Sequence, residues 1–173
     1  MYFFTSDEHF GHAKIIEYCR RPFESVHEMN KALVERHNEV VGDDDIVVHA
    51  GDFTLQKNAE KYIQRLRGRH IFIRGSHDKW MDDSYHERWE KRIEGQWVVV
   101  DHYAAFVWPG SHHGSWQLFG HSHGGLETHN LFPFGKQVDV GVDNHNFYPV
   151  SFKQIVEIMA SRPENWNRLK KRR

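Results

Sequence analysis

The chain repeatedly places a short apolar run directly before a cluster of Asp, His and Gly residues, and this repetition limits its possible folds more than any other feature. In chain order the clusters are Asp7-Glu8-His9, Gly51-Asp52, Gly75-Ser76-His77-Asp78, Asp101-His102-Tyr103 and Gly120-His121-Ser122-His123. In open α/β sheets, ligands bind outside the carboxyl ends of the strands. The pattern therefore predicts an α/β protein in which these clusters contribute to one site.

The segments around the clusters predict the order of helices and strands. Strands at 1–6, 46–50 and 70–74 alternate with helices near 13–19, 25–41 and 58–66, which indicates parallel pairing. Short strands at 96–102, 104–108, 116–119 and 136–142 leave little room for helices, so a second, mostly antiparallel sheet is expected. A capping box near residue 151 predicts a last helix to about residue 160.

Composition excludes several classes of protein. The 173 residues include 23 basic and 24 acidic side chains, so the net charge of −1 does not indicate a general binder of polyanions. The single cysteine, Cys19, excludes an internal disulfide framework and a thiolate metal cluster. No run approaches the roughly 18 apolar residues of a membrane span, so a cytoplasmic protein without a membrane partner is expected. The 15 histidines favour a metal site.

The C-terminal end is more basic than the rest of the chain. From Arg162 onward, six basic side chains accompany one acidic side chain, Glu164. Such a run is usually a solvated tail, although it can also bind nucleic acid phosphates with an affinity that falls as salt rises. We expect one domain at 1–162 and a basic tail at 163–173.

The residue types in the clusters indicate metal-assisted chemistry. Asp7 and His9 lie two residues apart, as do His121 and His123, so in extended chain each pair projects to one face. Carboxylate and imidazole ligands without thiolate suit Mn²⁺, Fe or Zn²⁺. Asp52, behind a flexible glycine, can bridge two cations. Two cations about 3.5–4 Å apart acidify a shared water and hold the oxygens of a displacement at phosphorus, which fits phosphate ester hydrolysis.

Each cluster has a simpler explanation when it is taken alone. A single Asp-x-His or Gly-Asp occurs often in surface loops, and even two histidines after a glycine can belong to a solvated turn. The ordered series is much harder to explain as a set of unrelated turns. It is therefore the series that predicts the metal site.

At these residues the sequence resembles the calcineurin-like metallophosphoesterases, whose pattern runs D-x-H, G-D, G-N-H-D/E, a later H and G-H-x-H. The match spans residues 7 to 123. The chain is most similar to the small stand-alone bacterial and phage members in its segments at 7–12, 20–23 and 111–115. The resemblance implies an α/β fold with a two-sheet β-sandwich flanked by helices and a dinuclear metal site on its rim.

The resemblance also implies roles for individual residues. Asp7, His9 and His123 would hold one divalent ion, Asp52 would bridge, and His102 and His121 would hold the second. Mn²⁺ is the expected ion, with Fe, Zn and Ni as alternatives. In the family mechanism a metal-bound hydroxide attacks phosphorus. His77 then protonates the leaving oxygen or stabilises the transition state, and Asp78 orients His77 through its ring N–H.

One position departs from the family pattern. The family has Asn where this chain has Ser76, and the amide oxygen of that Asn ligates the second ion. A serine hydroxyl is shorter and a poorer ligand, so the second metal position is expected to bind its ion more weakly.

Further residues are expected to surround the substrate. His12 and Arg74 lie beside motifs, while His112 and His113 lie in a loop between glycines. Arg74 can clamp a phosphate oxygen. These four residues are the predicted substrate-binding side chains.

The predicted substrate is a phosphate ester, with a phosphodiester favoured because so short a chain has little insertion with which to cap the site. A phosphomonoesterase, a weakly active metal- or phosphate-binding variant, and a nuclease aided by the basic tail are the alternatives. A nucleotide or nucleic acid partner and the oligomeric state both stay open.

Overall fold

The computed structural model describes residues 1–128, 133 and 135–169, and these residues form two four-stranded sheets with helices around them. The strands are β1 (Tyr2–Thr5), β2 (Ile46–His49), β3 (Arg69–Phe72), β4 (Arg88–Ile93), β5 (Gln96–Asp101), β6 (Trp116–Phe119), β7 (Gln137–Asp139) and β8 (Val150–Ser151). The α-helices are α1 (Lys14–Tyr18), α2 (Val26–Val40), α3 (Glu60–Ile63), α4 (Gly125–Thr128) and α5 (Phe152–Ser161). Short 3-10 helices cover Ser111–His113 and Val142–Asn144.

The first sheet has the order β3-β2-β1-β8, and the second has the order β4-β5-β6-β7. In the first sheet β1, β2 and β3 are parallel, while β8 runs antiparallel to β1. The predicted α/β fold with two sheets flanked by helices is therefore confirmed.

The expectation of a mostly antiparallel second sheet is wrong. β5, β6 and β7 are parallel, and among the described strands of this sheet only β4 runs antiparallel, pairing with β5. Parallel strands need a crossover of a dozen or more residues, but that crossover need not contain an α-helix. Residues 102–115 provide such a connection with one turn of 3-10 helix. The lack of predicted helices between these strands was therefore no evidence that the strands are antiparallel.

The sequence analysis is also wrong about one strand in this half and misses another. Residues 104–108 form no strand, and Phe106 and Val107 are exposed there. By contrast, β4 was not predicted, because its sequence Arg-Trp-Glu-Lys-Arg-Ile is mostly charged. Charged side chains are typical of an edge strand, where they discourage pairing with other chains.

The main core lies between the two sheets. Phe4 and Val48 from the first sheet are fully buried against Val98, Val100 and Leu118 from the second. Each such side chain contributes about 1.5–3 kcal/mol relative to an exposed one. Ile155 and Met159 of α5 complete this core. The apolar runs thus fix the two sheets against each other and bring their strand ends to a common rim.

The helices begin where their capping residues predict. The Ser25 hydroxyl accepts a hydrogen bond from the backbone N–H of Glu28 at the start of α2. Ser151 and Gln154 form a complete capping box at the start of α5. The helix expected at 58–66 is shortened to α3.

The C-terminal segment continues to pack beyond residue 162. Asn165 is buried, and its side-chain amide donates to the carbonyls of Ser111 and Ser115. The indole N–H of Trp166 donates to the carbonyl of Phe106. The last four basic residues of the predicted tail, 170–173, lie outside the described residues. Among the helices that the structure describes, none has the length and apolar character needed to cross a bilayer.

Candidate metal centre

The six predicted Asp and His ligands all follow the carboxyl ends of parallel strands. Asp7 and His9 follow β1, and Asp52 follows β2. In the second sheet, His102 directly follows β5, while His121 and His123 come just after β6. The two sheets therefore meet at one rim with these side chains between them.

The side chains form two adjacent clusters. Asp7, His9 and His123 each place one ligand atom within 4.8 Å of the others, and so do Asp52, His102 and His121. Oδ2 of Asp52 lies 3.4 Å from Nε2 of His102 and 3.7 Å from Nε2 of His9. Asp52 thus stands between the clusters, where a bridging ligand would be needed.

The backbone presents these ligands in a way that the sequence did not indicate. Asp7, His9, Asp52, His121 and His123 all have positive φ, between 46° and 68°. Non-glycine residues seldom adopt this conformation, and strained backbone tends to concentrate at functional sites. The expectation of extended chain at each pair is therefore wrong, although both members of each pair do reach the same rim.

Two motif glycines allow the strands' ends to approach closely. A Cβ on Gly51 would lie 2.5 Å from Nδ1 of His102. A Cβ on Gly120 would lie 1.9 Å from Oγ of Ser6 and 2.5 Å from Oδ2 of Asp7. Any larger residue at either position would push the loops apart. The glycines that precede Asp52 and His121 thus serve the packing of the site.

Several ligand atoms in the clusters are buried and have no hydrogen-bond partner among the described residues. They are Oδ1 of Asp7, Nε2 of His102, and both ring nitrogens of His9. Buried polar atoms are normally paired, because leaving one unpaired costs about 1–3 kcal/mol. Cations would satisfy these atoms, so the residues present fit divalent metal ions.

Burial shifts the pKa values of two residues in the first cluster. It raises the pKa of the Asp7 carboxyl to about 7 and lowers the pKa of His9 to about 3. Oδ2 of Asp7 accepts the backbone N–H of His121, which leaves Oδ1 for another partner. Near neutral pH His9 is therefore uncharged and Asp7 readily loses its proton, as metal ligation requires.

His123 is held by residues that the sequence analysis missed. Its Nδ1 lies 2.6 Å from Oδ2 of Asp143, and Arg21 donates to both oxygens of that carboxylate at 2.8 Å. Arg21 also donates to the carbonyl of Asp7. Burial acts to lower the pKa of His123, but the hydrogen bonds of its ring with Asp143 and Cys19 outweigh burial and raise the pKa to about 10. Asp143 follows the strand predicted at 136–142, so the strand-end rule applied once more would have found it.

Asp52 and His102 are oriented in the second cluster. His102 Nδ1 donates to the carbonyl of Ala50 at 2.9 Å, so Nε2 is free to accept. Asp52 accepts the backbone N–H of His77 at 2.8 Å. Burial acts to raise the pKa of Asp52, but the contacts with His102 and His77 hold it below its usual range. Asp52 is therefore an anion within the site.

The structure corrects the role predicted for Asp78. Its carboxylate accepts the backbone N–H groups of Asp52, Phe53, Thr54 and Gly75 and the indole N–H of Trp80. It makes no hydrogen bond to the ring of His77 among the described residues. A buried carboxylate takes several donors when they are available, and backbone N–H groups surround this one. Asp78 is a positioning residue that ties the loop of Asp52 to the loop of His77.

His77 and Ser76 lie at the open side of the second cluster. The His77 side chain is 44% exposed, and its Nε2 lies 4.0 Å from Oδ2 of Asp52. The Ser76 hydroxyl lies 3.1 Å from the same oxygen. Both residues thus lie beside Asp52.

The four predicted substrate residues have different positions. The His12 ring lies 5.4 Å from that of His9 and 6.3 Å from that of His77, so it borders the first cluster. Arg74 lines a cleft next to His102. His112 and His113 precede β6, whereas the ligand histidines follow it, so they lie at the opposite end of that strand. Their placement in the substrate pocket is wrong, because the flanking glycines indicate a turn without indicating which end of the sheet carries it.

No family model matches the chain. Its structure is similar to the crystal structure of AQ665, a protein of unknown function from Aquifex aeolicus, with a TM-score of 0.70 and 21% identity. That likeness covers 91% of this chain and 98% of the other, and it shows a shared fold.

Two other solved structures overlap less. A conserved uncharacterized protein and predicted phosphoesterase from Streptococcus pneumoniae gives a TM-score of 0.42 at 17% identity, over 70% of this chain and 62% of the other. A mutant of Vps29 from Entamoeba histolytica gives 0.45 at 16% identity, over 70% of this chain and 64% of the other.

A relative in sequence is the uncharacterized protein MJ1445 of Methanocaldococcus jannaschii. The two chains are 37% identical over 164 residues, which are 91% of this chain and 90% of the relative. Identity at this level over nearly both full lengths shows that this chain belongs to the same protein family as MJ1445.

Proposed function

We propose that this protein is a metal-dependent phosphoesterase with two divalent ions, held by Asp7, His9 and His123 and by Asp52, His102 and His121. The observation that carries the proposal is the pair of adjacent clusters with buried, unpartnered ligand atoms and Asp52 between them. Bound there, two divalent ions would acidify a water molecule and neutralise the oxygens of a phosphate ester.

His77 is the proposed proton donor to the leaving oxygen. Its backbone N–H is fixed by the Asp52 carboxylate, while its ring stays partly exposed at the rim. A group in this position can reach a substrate atom and still exchange protons with water. General acid catalysis of this kind contributes about 10²- to 10⁴-fold to a rate.

The surroundings of the second cluster favour a phosphodiester as substrate. A cleft of about 530 Å³ adjoins His102 and is bordered by Ser76, Tyr103 and Arg74. A diester needs space on both sides of phosphorus, whereas a monoester needs space on one. The cleft provides space for the second ester group of a diester.

The ligand set supports manganese as the ion. The two clusters contain two carboxylates and four imidazoles, and neither contains a thiolate. Carboxylate oxygens suit Mn²⁺, and imidazoles also suit Fe, Zn²⁺ and Ni, so Mn²⁺ is the proposed ion with Fe, Zn²⁺ and Ni as alternatives.

The proposal is tested by removing metal with a chelator, adding Mn²⁺ and measuring hydrolysis of bis-p-nitrophenyl phosphate and p-nitrophenyl phosphate. We expect Mn²⁺-dependent hydrolysis with the diester favoured. His77→Ala should lower kcat by about 10²- to 10⁴-fold and leave metal content unchanged. His27→Ala, at an exposed histidine on α2, is the matched control and should change neither quantity.

Two outcomes would contradict the proposal. Failure to bind metal would remove the site itself. Binding of two ions with no turnover of either ester would favour a metal- or phosphate-binding protein without catalysis, which is the alternative that Ser76 raises. A strong preference for the monoester would overturn the choice of substrate class alone.

A further inference from the structure

The cleft beside the second cluster extends well beyond the six metal ligands. Its wall runs from Ser76 and His102 past Tyr103 to two cationic side chains, Arg74 and Arg88. No role in the metal clusters accounts for Arg88. Its surroundings show what kind of group it can bind.

Arg88 is held in place by a buried carboxylate. Nε of Arg88 donates to Oδ1 of Asp101 at 2.6 Å, and the other oxygen of Asp101 accepts from Gln117 at 2.8 Å. Asp101 is only 7% exposed and Gln117 is fully buried, so this anchor is fixed within the second sheet. An arginine fixed in this way loses little further side-chain entropy when it binds a ligand.

The terminal amines of Arg88 stay available. Only its Nε has a hydrogen-bond partner among the described residues, and the side chain is 45% exposed. Two terminal N–H groups in a rigid plane match two oxygens of a phosphate. The exposed edge of Arg88 is therefore prepared for an anionic group in the cleft.

Arg88 is also tied to the metal centre through the chain. It pairs directly with Asp101 across β4 and β5, and Asp101 precedes the predicted ligand His102. On the other wall, the backbone N–H of Arg74 donates to the carbonyl of His86, two residues before Arg88. A group held by Arg88 thus lies in the same cleft as the edge of the second cluster.

Arg74 can contribute to the same group. Its guanidinium donates to Asp83 at 3.1 Å, but that carboxylate is fully exposed. Exposed ion pairs contribute little to stability, so Arg74 can exchange this partner for a phosphate at small cost.

The charges of the cleft favour a specific group over general attraction. Arg74 and Arg88 are balanced by Asp101 and by Glu87, which also lines the cleft. The lining therefore has no net positive charge with which to collect polyanions. Tyr103 adds an exposed ring that packs edge-on against His102 and His121. These features fit a ligand in which one anionic group binds the arginines and an attached organic group packs against Tyr103.

We propose that the substrate is an organic phosphate ester that carries a second phosphate group, and that Arg88, with Arg74 opposite, binds this second phosphate. The inference rests on the proposed function, since the first phosphate is the one at the metal centre. Arg88 acts in substrate selection and takes no part in the chemical step.

The test compares two chromogenic esters that differ by one group: thymidine 5′-(p-nitrophenyl phosphate) with and without a 3′-phosphate. We expect the 3′-phosphorylated ester to have the higher kcat/KM, by on the order of 10–100-fold, because hydrogen bonds to charged groups have about this effect. Arg88→Gln should remove this preference by lowering kcat/KM for the 3′-phosphorylated ester to about that of the unphosphorylated ester, while Arg88→Lys should retain part of the preference.

The matched control is Arg92→Gln, on the same strand face but at the far end of β4, where the side chain is exposed. It should keep the full preference. Three outcomes would overturn the inference. The preference could be lost in Arg92→Gln, it could persist in Arg88→Gln, or the two esters could have equal kcat/KM in the unaltered protein.

A binding measurement separates this inference from the proposed function. Thymidine 3′,5′-bisphosphate and thymidine 5′-monophosphate are titrated calorimetrically into Mn²⁺-loaded protein and into the Arg88→Gln variant. If the bisphosphate binds more tightly than the monophosphate, and Arg88→Gln abolishes this difference, the second-phosphate site is supported even if no ester is hydrolysed. Equal binding of the two nucleotides contradicts it even if bis-p-nitrophenyl phosphate is hydrolysed.

Discussion

The two ligand clusters differ in how firmly the protein holds them. In the first, Asp7 and His9 are buried, and His123 is fixed by Asp143 and Arg21. In the second, Asp52 and His102 are buried, but His121 is exposed. Metal ligands that are oriented by further hydrogen bonds bind more tightly. We therefore expect the first cluster to hold its ion more firmly and the second to face the substrate.

Asp52 links the two clusters, and its removal should have the largest effect. Asp52→Ala should lower phosphodiester hydrolysis by at least about 100-fold and weaken both metal positions, since its carboxylate lies between them. Metal content measured by elemental analysis and kcat measured with bis-p-nitrophenyl phosphate check this. Asp45→Ala, which removes a carboxylate far from the site, is the control and should leave both measurements unchanged. Loss of one ion with the other fully retained would show that Asp52 does not bridge.

Asp143 should distinguish the clusters. Asp143→Asn removes the charge that holds His123 and pairs with Arg21, so the affinity of the first metal position, corrected for proton competition at His123, should fall by about 10–100-fold. The second position should keep its affinity. Stepwise titration with Mn²⁺ measures both, and thermal unfolding of the metal-free variant checks that the fold is retained.

Equal weakening of both positions in Asp143→Asn would contradict this distinction. Ser76→Ala is the reciprocal variant, because the Ser76 hydroxyl donates to Asp52 and makes no hydrogen bond to Asp7, His9 or His123 among the described residues. It should affect the second position alone.

The sequence predicted the parts of the site that depend on local pattern. Asp7, His9, Asp52 and the histidines of the second sheet come directly after apolar runs, and strand ends meet at one rim whenever the strands are parallel. For Asp7, His9 and Asp52 this follows from the parallel first sheet. The convergence of His102, His121 and His123 was predicted from the ordered series of motifs, because the expected antiparallel second sheet would not have brought their strand ends together.

The missed features depend on contacts between distant parts of the chain. Arg21 lies 122 residues from Asp143, and three of the donors to Asp78 lie 24 to 26 residues earlier in the chain. β4 carries a charged sequence that gave no strand signal, so Arg88 was not considered. The topology likewise decides which end of a sheet carries a glycine-rich turn. The sequence does not show that end, and for this reason His112 and His113 were predicted in the wrong place.

The first cluster should also release protons when it binds its ion. In the metal-free protein the pKa of His123 is raised to about 10 and that of Asp7 to about 7, so at pH 7 His123 is protonated and Asp7 partly so. Both must lose their protons to ligate, so filling the first position at pH 7 should release roughly one to two protons. Affinity for Mn²⁺ should then rise with pH, about tenfold or more per unit between pH 6 and 8.

Calorimetric titration in two buffers with different ionisation enthalpies measures this release. In Asp143→Asn the pKa of His123 should fall, because the carboxylate that raises it is gone, and the release should drop by about one proton. Unchanged affinity from pH 6 to 8, with no buffer dependence, would show that the first cluster is already deprotonated before metal binds.

The smallest effect is expected at Ser76, where the second cluster departs from the metallophosphoesterase pattern. Ser76→Asn would add an amide oxygen beside Asp52, whose Oδ2 lies 3.1 Å from the present hydroxyl. We expect tighter binding of the second ion and a rate increase of several-fold to about tenfold, at the low end of what ligand shells contribute. Mn²⁺ titration and kcat with bis-p-nitrophenyl phosphate measure it, and Ser84→Asn, in an exposed turn, is the control. If neither the Mn²⁺ affinity nor kcat changes, Ser76 does not weaken the second metal position. The two clusters would then differ in solvent exposure and not in affinity because of Ser76.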